Sequence, residues 1–278
     1  MTESQSRRQF TEVVAQPDGD LDLALASLLI ACEEHPDLDV PGYLALLNAM
    51  GDQVRLRLGG EPTAEEAACV LNGYLFDELG FRGNVEDYYD PRNSFLDEVL
   101  DRRAGIPVTL CTVYMEVGAR AGIQVDGIGL PGHFIARVRA GQGQVLVDPF
   151  HQGARLTPAD CQQRLDRIFK GRLKLEARML ASCDRKAILA RTLQNLQGIY
   201  VKAGDRLRAL GILDLLFRVR PPSAQDLKDR GLLYADLDCY DLAACDLEQF
   251  LALAPGSPEA SAIRVRVGEL RRRAALLN

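Results

Sequence analysis

The spacing of apolar residues predicts a series of helices over roughly the first 120 residues. Apolar side chains recur every three or four positions, as in helices with one buried face, in residues 20–35, 41–58 and 63–79. A short helix reaching Leu100 follows. The run Gly105-Ile106-Pro107 then opens another helix, because proline is favoured in a first turn, and Gly122 is placed to end it.

After Gly122 the pattern changes to short β-rich runs. Three antiparallel strands are predicted, at residues 125–130, 134–138 and 145–147. A turn centred near Ala140-Gly141 joins the last two and predicts that His133 and Asp148 are cross-strand neighbours. One more helix opens at Thr157-Pro158. Helices followed by a small antiparallel sheet indicate an α+β domain.

The last third of the chain repeats with a period of 34 residues. The shift aligns five pairs: Leu193 with Leu227, Tyr200 with Tyr234, Ala209 with Ala243, Leu213 with Leu247, and Pro221 with Pro255. This pattern resembles the tetratricopeptide repeat, in which small residues let paired helices approach and proline ends the second helix. We expect two repeats, at 190–223 and 224–257, and a capping helix to about Leu276. The predicted domains are 1–180 and 181–278.

Composition narrows the class of protein. Hydrophobic residues make up 47% of the 278 positions, yet no apolar run approaches the ~20 residues that span a bilayer. The polar start, Met1 to Arg8, lacks a signal-peptide core. Seven scattered cysteines without a CxxC pair favour reduced thiols over a disulfide framework or a zinc site. We therefore expect a cytoplasmic protein that is not embedded in a membrane.

Charge is distributed unevenly along the chain. Residues 181–278 hold 15 Lys/Arg against 12 Asp/Glu, a net +3, and residues 1–180 hold 18 against 27, a net −9. An acidic larger domain argues against nucleic-acid binding. With three histidines in the chain, a His-rich metal centre is not expected, and no cofactor is predicted.

Four stretches carry a family resemblance. They are Asn72 to Asn84 (NGYLFDELGFRGN), Tyr88 to Leu96 (YYDPRNSFL), Gly105-Ile106-Pro107, and Leu130 to Phe134 (LPGHF). In this order they resemble the bacterial SirB-one family, which joins a transglutaminase-like domain to tetratricopeptide repeats. The resemblance implies a papain-like core, in which a helix bearing a nucleophile packs on a sheet bearing His and Asp. The fold class expected is therefore this α+β domain followed by an all-α repeat domain.

The candidate catalytic residues are Cys111, His133 and Asp148. An acidic group beside a histidine fixes its tautomer and stabilises the imidazolium. The pattern of transglutaminase-like enzymes, Gly-x-Cys with a helix-ending Gly about fifteen residues later, places Pro107 where the nucleophile is expected. Cys111 lies one turn further on, ~5–6 Å along the helix axis. Thr109 is about 160° around the helix from Cys111 and is a weak nucleophile.

Two functions remain open at this point. One is a non-catalytic interaction protein whose repeats bind a protein or peptide partner, although the repeats could instead only buttress the first domain. The other is a cysteine acyl transferase or hydrolase acting on protein amides. In that enzyme Cys111 attacks, His133 acts as base and then acid, and Asp148 orients it. The displaced nucleophile favours the first function, with Cys111 as a packed thiol.

Overall fold

The computed structural model describes residues 4–277. The chain forms two compact units that divide between Thr192 and Leu193. The first unit combines helices with a small sheet, and the second consists of helices, which confirms the predicted α+β domain followed by an all-α domain. No helix within residues 4–277 combines the length and the apolar composition needed to cross a membrane.

Seven α-helices lie wholly within the described part of the first unit. They are α1 (Gln5–Val14), α2 (Leu23–Ala31), α3 (Val40–Arg57), α4 (Ala64–Asn72), α5 (Leu96–Arg102), α6 (Pro107–Arg120) and α7 (Pro158–Phe169). The predicted helix over 63–79 is shorter, because a π-helical segment, Gly73–Glu78, follows α4. Capping boxes at Thr63 and Thr157 satisfy backbone N–H groups at the starts of α4 and α7.

The main sheet has four antiparallel strands in sequential order. They are β3 (Gln124–Ile128), β4 (Ile135–Ala140), β5 (Gly143–Asp148) and β6 (Ala154–Leu156). A separate pair of two-residue strands, β1 (Arg82–Gly83) and β2 (Ala104–Gly105), runs parallel. The three predicted strands correspond to β3, β4 and β5. The other three strands were not predicted from the sequence, since each is too short to show an alternating pattern.

The register of the β4–β5 hairpin corrects one prediction. Ala140 pairs with Gly143 and Ala136 pairs with Val147, so the turn is Gly141-Gln142, one residue later than expected. This register aligns Asp148 with position 135 and not with His133. His133 precedes β4 and reaches Asp148 from the loop that joins β3 to β4.

Helix α6 is the central element of the first unit. It packs against α3 and against β3 and β4 of the sheet. Its side chains are buried around almost the whole circumference of its first two turns, from Pro107 to Tyr114. A helix that is buried on all sides holds its residues in fixed positions, because the surrounding core is close-packed. The burial of α6 therefore determines what its candidate nucleophiles can do.

The second unit is built from helix pairs. It contains the later part of α8 (Arg185–Ala203) and four further helices: α9 (Arg206–Val219), α10 (Ala224–Asp236), α11 (Tyr240–Leu253) and α12 (Ala260–Leu277). Helix α10 packs against α9 and α11, and α11 packs against α12. Ala209 and Ala243, which the 34-residue period aligns, are both fully buried. Pro221 and Pro255 follow the ends of α9 and α11, as the repeat pattern predicts.

Candidate functional site

The loop before β4 presents His133 through a tight turn. The backbone N–H of His133 donates to the carbonyl of Leu130 at 3.0 Å, which closes a four-residue turn. Pro131 and Gly132 occupy its central positions, and Gly132 has a φ of +74°. A type II turn favours proline and then glycine in these places, because the second central residue has positive φ. The Leu-Pro-Gly-His motif is therefore a turn that fixes the position of the imidazole.

Asp148 ends β5 and is completely buried. Its Oδ1 accepts hydrogen bonds from the backbone N–H groups of Phe150 and His151, at 3.1 and 3.3 Å. Its Oδ2 lies 2.8 Å from Nε2 of His133, 2.9 Å from Nδ1 of His151 and 2.9 Å from Nη1 of Arg164. The predicted contact between His133 and Asp148 is thus confirmed, although the side chains meet from a loop and a strand end.

The charge of Asp148 is stabilised by its partners. Burial alone would raise the pKa of this carboxyl, but hydrogen bonds from His133 and His151 and the charge of Arg164 hold it well below its usual range. Asp148 is therefore a carboxylate at neutral pH, and it anchors the groups around it. The His133 ring keeps Nδ1 free of hydrogen bonds to the described residues.

An aromatic wall borders His133. The ring of Phe150 lies edge-on to the imidazole, with centroids 6.1 Å apart, and Tyr88 packs edge-on against Phe150 at 6.1 Å. Tyr88 belongs to the loop before α5, residues 87–93, which is rich in polar and aromatic side chains. Asn93, fully buried, orders this loop because its Nδ2 donates to the carbonyls of Asp87 and Tyr88. The hydrogen bonds of Asn93 thus stabilise the loop, and Tyr88 makes the loop part of the aromatic wall.

Cys111 lies in the core, away from any solvent. Its side chain is 0% exposed, and its Sγ donates to the carbonyl of Phe134 at 3.6 Å. Burial, and then the nearby charge of Asp148, raise the pKa of the thiol well above its ordinary value. Within the described residues, no hydrogen bond joins Cys111 to His133. Among the described residues, a hydrogen bond therefore joins two of the three predicted catalytic residues, His133 and Asp148, and none joins Cys111 to them.

The start of α6 offers no nucleophile. The helix begins at Pro107, as predicted, and that buried residue has no reactive side chain. Thr109 is also buried, and its hydroxyl donates to the carbonyl of Asn93 at 2.7 Å and accepts from the N–H of Ile106 at 3.2 Å. Its hydrogen-bonding capacity is used to cap the helix and to hold the loop. Thr109 is therefore a structural residue in this geometry.

Two members of the cluster were not predicted as site residues. His151 lies in the turn after β5 and Arg164 lies on α7, and neither carries a motif that would single it out. Candidate ligand atoms of His133, Asp148 and His151 lie within 4.8 Å of one another, a spacing that a metal ion could bridge. Nη1 of Arg164 lies 2.9 Å from Asp148 Oδ2 and 3.2 Å from His151 Nδ1. The guanidinium of Arg164 thus places a positive charge beside Asp148 and His151, as a metal ion bound there would do.

Replacing Gly83 by alanine is expected to disturb this site. A Cβ at Gly83 would lie 2.5 Å from the carbonyl oxygen of Phe150 and 2.7 Å from its ring, so the aromatic wall must move. We expect the free energy of unfolding to fall by ~1–3 kcal/mol, measured by urea denaturation. The matched control is Gly73→Ala, where the nearest atom is 3.9 Å away. Equal stability of the two variants would contradict the close packing of Phe150.

These features define a transglutaminase-like domain. A model of the transglutaminase-like superfamily matches residues 42–194, and a tetratricopeptide-repeat model matches residues 196–268. The chain belongs to the transglutaminase-like superfamily and continues into tetratricopeptide repeats, the combination that its resemblance to the SirB-one family predicts.

The chain aligns with bacterial relatives over most of their length and with a longer human protein over part of its length. A UPF0162 protein of Xylella fastidiosa is 33% identical over 256 residues, covering 91% of each chain. UPF0162 protein PA3419 of Pseudomonas aeruginosa is 33% identical over 245 residues, 88% of this chain and 89% of its own. Human F-box only protein 21 is 26% identical over 264 residues, which cover 88% of this chain and 40% of that protein. No solved structure gives a significant match.

Proposed function

We propose that this protein is a non-catalytic interaction protein, in which the transglutaminase-like domain is a scaffold and the repeats bind a protein or peptide partner. The observation that carries this proposal is the composition of α6. The helix begins with Pro107 where a nucleophile would stand, and its one thiol, Cys111, is fully buried.

The state of the Cys111 thiol supports this reading. A cysteine nucleophile reacts as the thiolate and needs a neighbouring base or a lowered pKa, together with access for the substrate. At Cys111 the pKa is raised, and the S–H group is satisfied by a backbone carbonyl. These conditions stabilise a neutral, packed thiol and disfavour attack on an amide.

The His133–Asp148 pair then has a structural role. Asp148 connects the loop before β4, the turn after β5 and helix α7 through its contacts with His133, His151 and Arg164. A buried carboxylate with several charge-assisted hydrogen bonds fixes the elements that it joins.

The alternative is an acyl transferase or hydrolase that uses Cys111, His133 and Asp148. The 2.8 Å contact between His133 and Asp148 is the observation in its favour. That enzyme would have to expose Cys111 before each reaction. Exposing it would disrupt the close packing of the core around α6, which is unfavourable. The interaction function requires no such opening.

Affinity capture with the full-length chain tests the proposal. We expect wild type and Cys111→Ala to recover the same partners, whereas Leu232→Glu, which places a charge on an exposed apolar position of α10, recovers fewer. Leu207→Glu on α9 is the matched control, since Leu207 is also an exposed leucine. A partner captured through a thioester, or a partner lost in Cys111→Ala but kept in Leu232→Glu, would contradict the proposal.

A further inference from the structure

A groove in the second unit lies between α8 and α10. Its volume is about 270 Å³. Gln197 of α8 and Asp229 of α10 meet in it, where Nε2 of Gln197 donates to Oδ2 of Asp229 at 3.1 Å. Val201 on one wall and Leu232 on the other are 47% and 39% exposed. Two apolar side chains are thus exposed to solvent in the same concave surface.

The charged residues that line this groove are Asp229 and Asp236, and no Lys or Arg stands among its lining residues. Asp236 is paired with Arg206 at 2.9 Å, where both side chains are about half exposed. Asp229 is different, because its described hydrogen-bond donors are two neutral amides, Gln197 and Gln225. In the part of the chain that the structure describes, no cation is therefore directly bonded to this carboxylate of the groove.

Aspartates on α10 and on the neighbouring helix α11 have a different arrangement. Asp226 is paired with Arg220 at 2.8 Å, and Asp246 is paired with Arg230 at 2.7 Å. Burial raises the pKa of Asp229, in contrast to that of Asp226, which its arginine lowers. A partly buried carboxylate gains stability when a cation donates to it, because charge-assisted hydrogen bonds are stronger than those from neutral donors.

We propose that this groove binds a peptide segment of a partner in which a lysine or arginine lies between apolar side chains, with the cation bonded to Asp229. The inference rests on the proposed interaction function and specifies the chemistry of its partner. The apolar flanks of the segment pack on Val201 and Leu232. An acidic segment is disfavoured, because its carboxylate would face that of Asp229, whose described hydrogen-bond donors are neutral amides.

Fluorescence anisotropy with the full chain tests this chemistry. The probes are three labelled 12-residue amphipathic peptides with leucines on one face, identical except for a central Lys, Gln or Glu. We expect the Lys peptide to bind about tenfold more tightly than the Gln peptide, because a hydrogen bond between charged groups contributes more to binding than one to a neutral amide. The Glu peptide should bind most weakly. In Asp229→Asn the Lys and Gln peptides should differ by no more than about twofold, because the bond to a carboxylate is lost.

The matched control is Glu248→Gln, which removes one exposed carboxylate of α11 that pairs with Arg271 outside the groove. This variant should keep the tenfold preference. Equal binding of all three peptides, a preference that survives in Asp229→Asn, or no binding at all would overturn the inference. Failure of the broader interaction function is seen separately, as a partner captured through a thioester, or as a partner lost in Cys111→Ala but kept in Leu232→Glu.

Discussion

Replacing Asp148 by alanine is expected to lower the free energy of unfolding by about 3–5 kcal/mol, the range for removing one partner from a buried ion pair. Asp148 is completely buried, and Arg164 beside it is 19% exposed. Without the carboxylate, Arg164 and His133 lose an acceptor that the surrounding core cannot replace. Urea or guanidinium unfolding followed by circular dichroism measures the loss.

Asp52→Ala is the control for this experiment. Asp52 pairs with Arg55 on the surface of α3, where both side chains are more than half exposed. Such pairs contribute ~0–1 kcal/mol, so this variant should unfold nearly as the wild type does. If Asp148→Ala costs no more than Asp52→Ala, Asp148 is not the anchor that the structure indicates.

The depressed pKa of Asp148 also predicts an acid sensitivity. Because the folded-state pKa lies below the unfolded value of ~3.9, the ionised carboxylate stabilises the fold fully above about pH 5. That stability is lost as the pH falls through the unfolded pKa towards the folded one. Unfolding free energies measured between pH 5 and pH 3 should therefore fall more steeply for wild type than for Asp148→Asn. Equal slopes would show that Asp148 titrates normally.

Periodic features of the fold could be predicted from the sequence. The 34-residue period identifies the repeats because each repeat buries equivalent positions, such as Ala209 and Ala243. Helix α1 could not be predicted, because two of its ten residues, Phe10 and Val14, are buried and two positions make a weak pattern. The domain boundary at 180 stays a prediction.

The site was predicted less completely than the fold. The sequence predicts that His133 and Asp148 are neighbours, but the observed register does not pair them across the hairpin, and His133 reaches Asp148 from the loop before β4. Arg164 was missed, since a helix later in the chain brings it to Asp148 and no local pattern reports such a contact. The displacement of the nucleophile was visible, because Pro107 interrupts the pattern that the resemblance implies.

The burial of Cys111 leads to the second large effect. A packed thiol reacts with iodoacetamide only when the core opens locally, and opening a core helix costs several kcal/mol. We expect native Cys111 to be alkylated at least about 1000-fold more slowly than the exposed Cys69, Cys239 and Cys245. In denaturant all four thiols should react at similar rates, which controls for their intrinsic chemistry.

The pH dependence of this alkylation, followed thiol by thiol by mass spectrometry, tests the non-catalytic interpretation most directly. In both wild type and His133→Ala, Cys111 should be alkylated slowly, and its rate should show no ionisation below the free-thiol pKa of ~8.5. The contrary result is a Cys111 that reacts faster than Cys69 at pH 7 and slows when His133 is removed. That outcome would show that Cys111 is an activated thiolate and would support the alternative function, an acyl transferase or hydrolase.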